Sequence, residues 1–138
     1  MLEQIAEIDR QAFGEDGISV FNLSQFARCG AVYCLALGPF VVAEAVLLRK
    51  FQDSGAVVFG FAVEKSHQQR GYGTALIGEL ARTAAESGIS YLELTMNPEN
   101  SAAQHLYIKR AGFRKVSELA LHPHKREPRW LVRFDLGK

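Results

Sequence analysis

The chain has 138 residues, of which 48% are hydrophobic and 22% are charged, and its formal net charge is +1. This length and composition predict one globular domain, residues 1–138, that buries its own core. The near-neutral charge argues against a nucleic-acid partner, because nonspecific nucleic-acid affinity depends on clustered Lys and Arg that displace counterions. The apolar runs are far shorter than the ~20 residues of a membrane span, so we expect no membrane partner either.

Cysteine content and the N-terminus bear on metals and location. Met1–Gln4 lacks the basic and apolar regions of a secretory signal. Cys29 and Cys34 are the only cysteines, and they have neither C-x-x-C spacing nor a matching pair of histidines. We therefore expect a cytoplasmic protein with reduced, structural thiols, with Cys34 as a small core residue, and no bound metal.

The periodicity of the apolar residues predicts the elements in chain order. Two amphipathic helices come first, and two strands that form a hairpin at Gly38-Pro39 follow them. A strand that is apolar on both faces then precedes the third helix, and a half-buried strand precedes the fourth, which begins after Asn100 and ends at Gly112. The predicted bounds are helices 2–13, 20–28, 75–87 and 101–112 and strands 31–37, 41–50, 56–63, 90–96, 114–121 and 130–136.

The segment Gln68–Thr74, here called the glycine loop, joins the third strand to the third helix. Gly71 and Gly73 let the backbone turn tightly and approach a ligand, and the helix adds its positive N-terminal end. The glycine loop is therefore predicted to bind an anion. It is not a dinucleotide fingerprint, because Leu76 stands at the third glycine position, nor a P-loop, because Glu79 stands where a Lys is needed.

The pattern Gln68-x-x-Gly71-x-Gly73 resembles the pyrophosphate loop of the GNAT superfamily of acetyl-CoA-dependent N-acetyltransferases. The resemblance covers residues 38–136 and includes a partial likeness to the ribosomal-protein N-terminal acetyltransferases. It implies an α/β fold with a mixed, mostly antiparallel central sheet of about six strands flanked by helices on both faces. Because the chain begins directly with the first predicted helix, we expect the strand that usually opens this fold to be missing or vestigial.

A second cluster strengthens the resemblance. It consists of Asn100, a helix that carries Leu106-Tyr107, and a final Gly112-Phe113, which resembles the second GNAT signature. By this resemblance, loop N–H groups bind the pyrophosphate and the backbone edge of the third strand binds the pantetheine arm. The implied contacts to acetyl-CoA are Phe61, Ala62, Val63, Gln68, Gln69, Arg70, Gly71, Tyr72, Gly73, Thr74, Asn100 and Tyr107. Alternatively, the glycine loop is only a connecting turn, the third strand is an ordinary paired strand, and Asn100 is only an N-cap.

Tyr107 is the predicted general acid. Transfer to an amine leaves a thiolate, and a phenol with a reference pKa near ~10 can donate to a sulfur whose conjugate acid lies near ~8.5. Its alternative role is an aromatic residue that fills the core beside Phe113. The resemblance supplies no base, because the positions of the family glutamates align with Thr95 and Val57.

Other acidic residues and histidines are therefore the candidate bases. Glu64 and Glu93 are the predicted catalytic carboxylates, and Glu44, His67 and His105 have similar status. Each of the five could instead be a solvated surface group.

The leading prediction is an N-acetyltransferase that moves an acetyl group from acetyl-CoA to a primary amine of a small molecule or of a peptide or protein N-terminus by direct attack. The alternative is an acyl-CoA-binding regulatory module with little or no catalytic activity. The basic segment His122–Arg129 would favour an acidic acceptor, or would be a solvated hairpin loop. The sequence leaves open the acceptor and the oligomeric state, a homodimer included.

Overall fold

The computed structural model describes residues 1–119 and 127–137, and their secondary structure follows the predicted order. The helices are α1 (Leu2–Phe13), α2 (Val20–Arg28), α3 (Tyr72–Glu86) and the short α4 (Ser101–Ala103), which continues as a π-helical segment, Gln104–Arg110. The strands are β1 (Val32–Leu37), β2 (Phe40–Arg49), β3 (Gly55–Val63), β4 (Tyr91–Met96), β5 (Arg114–Leu119) and β6 (Arg129–Asp135). Single 3-10 turns lie at Gly14–Asp16 and Lys65–His67.

The strands of the described residues form one six-stranded sheet in the order β1-β2-β3-β4-β6-β5. β3 and β4 are parallel, whereas β1 and β2, β4 and β6, and β5 and β6 pair antiparallel. The predicted fold class is confirmed, because the described residues form a mostly antiparallel open sheet flanked by four helices. Positions 120–121 of the predicted strand 114–121 lie outside the described residues.

The chain divides into two compact units. The first comprises Met1–Leu48 and Val58–Ile77. Its core contains apolar side chains of α1, α2, β2 and β3: Ile5, Ile8, Leu23, Ala31, Val41, Val46 and Ala62. Ser19 accepts a hydrogen bond from the N–H of Asn22 and so caps α2. Cys34 packs half-buried against this core.

The second unit comprises Arg49–Val57 and Gly78–Lys138. On β4 the alternation predicted from the sequence is confirmed, with buried side chains at Leu92, Leu94 and Met96. Within the described ranges no helix combines the length and the apolar character that crossing a bilayer requires. The grouping of residues 1–138 into one domain stays a prediction.

Candidate active site

The glycine loop has a backbone conformation that residues with side chains rarely adopt. Gln69 has a φ of 64° and Gly71 a φ of 86°, both in the left-handed region. Gly71 adopts this conformation at little cost, whereas at Gln69 it costs roughly 1 kcal/mol or more. Left-handed residues within a tight turn direct backbone N–H groups to one side, as in anion-binding nests.

α3 begins at Tyr72, three residues before the predicted start at Ala75. Its first intrahelical hydrogen bond runs from the N–H of Ala75 to the C=O of Gly71, at 3.0 Å. The N–H groups of Tyr72, Gly73 and Thr74 precede that bond and have no acceptor within the helix. They lie at the positive end of a 15-residue helix and therefore fit an anion such as a diphosphate.

Glu64 holds the turn that leads into the glycine loop. Its Oε1 accepts hydrogen bonds from the N–H of Ser66 (3.1 Å), from Ser66 Oγ (2.6 Å) and from His67 Nδ1 (2.6 Å). The side-chain hydrogen bonds from Ser66 and then His67 lower the pKa of Glu64. Glu64 is thus ionised at neutral pH and already engaged by three donors, which makes it a weak proton acceptor.

The part of β3 that the resemblance assigns to the pantetheine arm directly precedes this turn. Phe61 and Ala62 are buried there, and Val63 is half-buried. The parallel register of β3 with β4 joins Gly55–Val57 to Tyr91–Glu93. Contacts of positions 61–63 with a ligand stay a prediction.

Asn100 begins the helix that carries Tyr107. Its Oδ1 accepts a hydrogen bond from the N–H of Ala103 at 3.1 Å, so the predicted N-cap is confirmed. The Asn100 side chain is exposed. The cap uses the amide oxygen as an acceptor and leaves the amide nitrogen as the donor for a contact with a ligand, and that contact stays a prediction.

The helix changes its hydrogen bonding after one turn. Ser101–Ala103 is α-helical, Gln104–Arg110 is π-helical, and the N–H of Ala111 bonds to the C=O of Leu106, five residues back, at 2.9 Å. The sequence predicts an α-helix throughout, because the wider turn has no signature in residue type. π-Helical segments are rare and occur frequently at functional sites.

Tyr107 lies in this π-helical segment and is half-buried. Its ring packs edge-on against Phe113, with the ring centroids 5.8 Å apart, and Phe113 packs against Phe134 at 5.5 Å. The N–H of Phe113 also donates to the C=O of Tyr107 at 2.8 Å. The predicted packing beside Phe113 is thus present, and it fixes the ring that carries the phenol. The role of Tyr107 as an acid stays a prediction.

Glu93 belongs to a cluster of polar groups that the sequence did not predict. Its carboxylate oxygens lie 3.0 Å from Lys50 Nζ and 3.2 Å from Arg133 Nη2. Lys50 also donates to the hydroxyl of Tyr91 at 2.9 Å, and that hydroxyl donates to Asp53. The guanidinium of Arg133 lies 4.1 Å from the centroid of the Tyr91 ring. Both oxygens of Glu93 are therefore occupied by cations.

The sequence contains one local signal for this cluster. Tyr91 and Glu93 alternate with buried residues on β4 and so share a face of the strand. Their partners lie 38 to 43 positions away along the chain, where no short-range pattern connects them.

Glu44 corrects one of the alternatives drawn from the sequence, because it is not a surface carboxylate. It is 0% exposed on β2 and lies beside Asp9 of α1, which is 1% exposed. Burial, and next the hydrogen bond with Asp9, raise the pKa of Glu44 to about 9. Glu44 is therefore protonated at neutral pH and cannot take a proton from an amine.

His67 and His105, the two histidine candidates, have different surroundings. His67 contacts Glu64, as described above. His105 is exposed and lines a shallow groove of about 480 Å³ beside Pro98 and Lys109. Across the described part of the chain, no group of three or more His, Cys, Asp or Glu side chains is arranged to hold a metal ion.

Thr95 stands where the resemblance places a glutamate in the ribosomal-protein subgroup. Its Oγ1 and its carbonyl oxygen both accept hydrogen bonds from Arg129 Nη2, at 3.1 and 3.2 Å. A guanidinium is thus held at this position. Arg129 ends the predicted basic segment, of which residues 122–126 lie outside the described residues, and the role of that segment in acceptor choice stays a prediction.

A sequence profile identifies the class of protein that this fold and loop represent. The profile described as the acetyltransferase (GNAT) family matches residues 2–113, which is most of the chain. The chain belongs to this family, whose enzymes are acyltransferases. Among curated proteins, no sequence matches closely enough to count as a relative.

Solved structures share the fold at low sequence identity. The ribosomal-protein-S18-alanine N-acetyltransferase from Escherichia coli is 20% identical, with a TM-score of 0.82 over 99% of this chain and 88% of that chain. Ard1 from Thermoplasma volcanium is 16% identical, with a TM-score of 0.85 over 100% and 95%. An aminoglycoside 6′-N-acetyltransferase complexed with coenzyme A is 13% identical, with a TM-score of 0.82 over 99% and 91%. These likenesses confirm the predicted GNAT-like architecture.

Proposed function

We propose that this chain is an N-acetyltransferase that moves an acetyl group from acetyl-CoA to a primary amine of a small molecule or of a peptide or protein N-terminus. Membership of the GNAT family supports the donor and the reaction class. The observation that carries the proposal is the first turn of α3, where three N–H groups follow the left-handed Gly71 at the positive end of the helix. This arrangement fits the diphosphate of CoA.

The amine nitrogen attacks the thioester carbonyl carbon directly, without a covalent enzyme intermediate. As the tetrahedral intermediate collapses, the C–S bond breaks and the sulfur leaves with the bonding electrons. The hydroxyl of Tyr107 then donates its proton to that sulfur. The nitrogen gives up its own proton to a base. Reference pKa values of ~10 for the phenol and ~8.5 for a thiol are close enough for this transfer. Positioning of the thioester and the amine supplies most of the rate.

Glu64 and Glu93, the carboxylates predicted as bases, are both held by other groups, which favours an acceptor of low pKa. Deprotonating an α-amine with a pKa near ~7.8 costs about 1 kcal/mol at neutral pH, whereas a lysine amine near ~10.4 costs more than ~4 kcal/mol. The oxygens of both carboxylates are already engaged by donors or cations. An α-amine, which needs less help to lose its proton, therefore fits this site better than a lysine side chain does.

Thiol release from acetyl-CoA across a panel of amines and peptides tests the proposal. Tyr107→Phe keeps the ring against Phe113 but removes the hydroxyl, and it is expected to lower kcat about a hundredfold with little change in the KM for acetyl-CoA. Tyr33→Phe, on β1, is the matched control and is expected to behave as wild type. Undiminished turnover by Tyr107→Phe would remove Tyr107 from the mechanism.

A regulatory module that binds acyl-CoA without transferring the acyl group is the second candidate. The contact of Thr95 with Arg129 favours it, because a cation lies at a position where family members carry a glutamate. Tight binding of acetyl-CoA in calorimetry, with no transfer to any amine, would support this module. If millimolar acetyl-CoA gives no heat in calorimetry and no rise in melting temperature, both candidates are refuted.

The amino-acid composition supports the remaining proposals, which concern the location and the partners of the protein. We infer a cytoplasmic enzyme whose partners are acetyl-CoA and an amine, with no metal, nucleic acid or membrane. Cell fractionation tests the location. Light scattering tests whether the enzyme is a monomer or a homodimer.

A further inference from the structure

Side chains connect the end of β3 to the start of α3, in addition to the backbone. Glu64 follows β3 directly, and its Oε1 lies 2.6 Å from His67 Nδ1. The His67 ring in turn lies against the ring of Tyr72, the first residue of α3, with centroids 6.1 Å apart and an interplanar angle of 53°. These three side chains therefore bridge the two ends of the segment that contains Gln69 and Gly71.

The start of this segment is also held by bonds from other elements. The N–H of Glu64 donates to the C=O of Val42 on β2 at 2.7 Å, and the N–H of Lys65 donates to Gln11 Oε1 on α1 at 3.2 Å. A residue in an unfavourable backbone conformation, as Gln69 is, persists only where its surroundings hold it there. With its start fixed, the contact of His67 with Tyr72 orients the far end of the segment.

We infer that Glu64 is a positioning residue, which acts through His67 to hold the first turn of α3 ready for the diphosphate, and that it is not the proton acceptor. This inference rests on the proposed function, because it assigns a role within the same acetyl-CoA site. All three hydrogen bonds to Glu64 end on the single atom Oε1. Glu64 thus supplies one acceptor atom at a fixed place, and the amide oxygen of a glutamine can do the same, whereas an amide at this position cannot act as a general base.

Glu64→Gln and Glu64→Ala separate the two roles in steady-state kinetics. If Glu64 positions the loop, the Gln variant keeps kcat and the KM for acetyl-CoA within about twofold, because its Oε1 can accept the same bonds. The Ala variant then raises that KM on the order of tenfold, the effect of one net hydrogen bond, with kcat retained. A general base would instead lose kcat to a similar extent in both variants, and that result would overturn the inference.

His67→Ala is the second variant, and it leaves the Glu64 backbone bonds in place. We expect it to raise the KM for acetyl-CoA as Glu64→Ala does, and the double variant to be no weaker than either single one, because both act through one contact. Additive losses would overturn the inference. Glu79→Ala is the matched control, since Glu79 is a carboxylate of α3 paired with Arg82 at 2.6 Å, and it is expected to bind acetyl-CoA as wild type does.

Hydrogen exchange on the ligand-free protein distinguishes this inference from the proposed function. The N–H of Ala75, bonded to Gly71, is expected to exchange faster in Glu64→Ala than in Glu64→Gln or wild type. If wild type binds acetyl-CoA, and Glu64→Ala binds it equally well with equally slow exchange of the Ala75 N–H, the positioning role is wrong. The proposed function is not affected by that result. If wild type does not bind acetyl-CoA in calorimetry, the proposed function is wrong and the positioning role falls with it.

Discussion

Glu44 of β2 and Asp9 of α1 form a carboxyl pair in the interior of the first unit, where neither side chain is more than 1% exposed. Asp9 Oδ2 accepts a hydrogen bond from the N–H of Ile18 at 2.6 Å. Apart from a proton held between the two carboxyl groups, Asp9 Oδ1 and both oxygens of Glu44 have no hydrogen-bond donor among residues 1–119 and 127–137. Two ionised carboxylates cannot bond to each other, so the pair is joined only while Glu44 carries a proton.

Glu44→Gln is expected to flatten the dependence of stability on pH. The pKa of Glu44 is about 9 in the folded protein against 4.5 for an unperturbed glutamate, so between these values the folded state binds one proton more than the unfolded state. The free energy of unfolding of wild type therefore falls as pH rises, by at most ~1.4 kcal/mol per pH unit from this group. Urea denaturation at several pH values measures it. Parallel slopes for wild type and variant would contradict the assignment.

Gly71→Ala is expected to lower the free energy of unfolding by ~1–2 kcal/mol and to weaken acetyl-CoA binding, because its φ of 86° is unfavourable with a Cβ. No atom lies within 4 Å of the position of that Cβ, so the cost comes from the backbone alone. Gly78→Ala, inside α3 and also in open space, is the control, and it is expected to leave binding unchanged and to stabilise by up to ~1 kcal/mol. Denaturation measures the change in stability and calorimetry measures acetyl-CoA binding. If Gly71→Ala binds acetyl-CoA as tightly as wild type does, the proposed role of the glycine loop in binding is contradicted.

Glu93→Gln is expected to lower the free energy of unfolding by about 1–2 kcal/mol, because Lys50 and Arg133 then lose their carboxylate partner. Denaturant titration measures this cost, and a variant as stable as wild type would contradict the structural role. At a temperature where the variant is fully folded, kcat reports the catalytic role separately. A kcat equal to that of wild type would remove Glu93 from the candidate bases.

Asn100→Ala is expected to cost ~1 kcal/mol of stability through the lost N-cap, whereas Asn100→Asp keeps an oxygen for the N–H of Ala103 and is expected to be as stable as wild type. The Asp variant lacks the amide N–H groups, so it isolates the proposed contact with the ligand. We expect it to bind acetyl-CoA several-fold more weakly. If Asn100→Asp binds acetyl-CoA as tightly as wild type does, Asn100 acts only as an N-cap. Ser19→Ala, which uncaps α2, controls for the general effect of a lost cap.

The elements that follow from hydrophobic period were predicted well. The bounds of α1 and α2 coincide with the prediction, because each helix presents one apolar face and ends at a residue that breaks it. The start of α3 was placed too late, at Ala75, because Gly73 is typical of turns. The first turn of a helix tolerates glycine, since its N–H groups make no intrahelical bonds, and for that reason the anion-binding groups belong to the helix itself.

The features that sequence analysis missed depend on contacts between distant parts of the chain. The burial of Glu44 follows from the covering of both faces of β2 from Val41 to Leu47, and an alternating pattern cannot reveal that covering. The contacts of Glu93 with Lys50 and Arg133 require the register of β4 with β6 and the placement of Lys50, the residue that follows β2. Residue types identify candidate carboxylates, and only the tertiary structure shows which donors already occupy them.

The π-helical segment has a consequence for the length of the chain in this region. Successive residues of an α-helix are rotated by about 100°, and the wider turn of Gln104–Arg110 accommodates one additional residue per turn. The rotational phase of Tyr107 relative to Asn100 is therefore set by the number of residues between them as well as by their identity. A one-residue deletion there would convert the segment to an ordinary helix and turn the phenol away, although every signature residue would still be present.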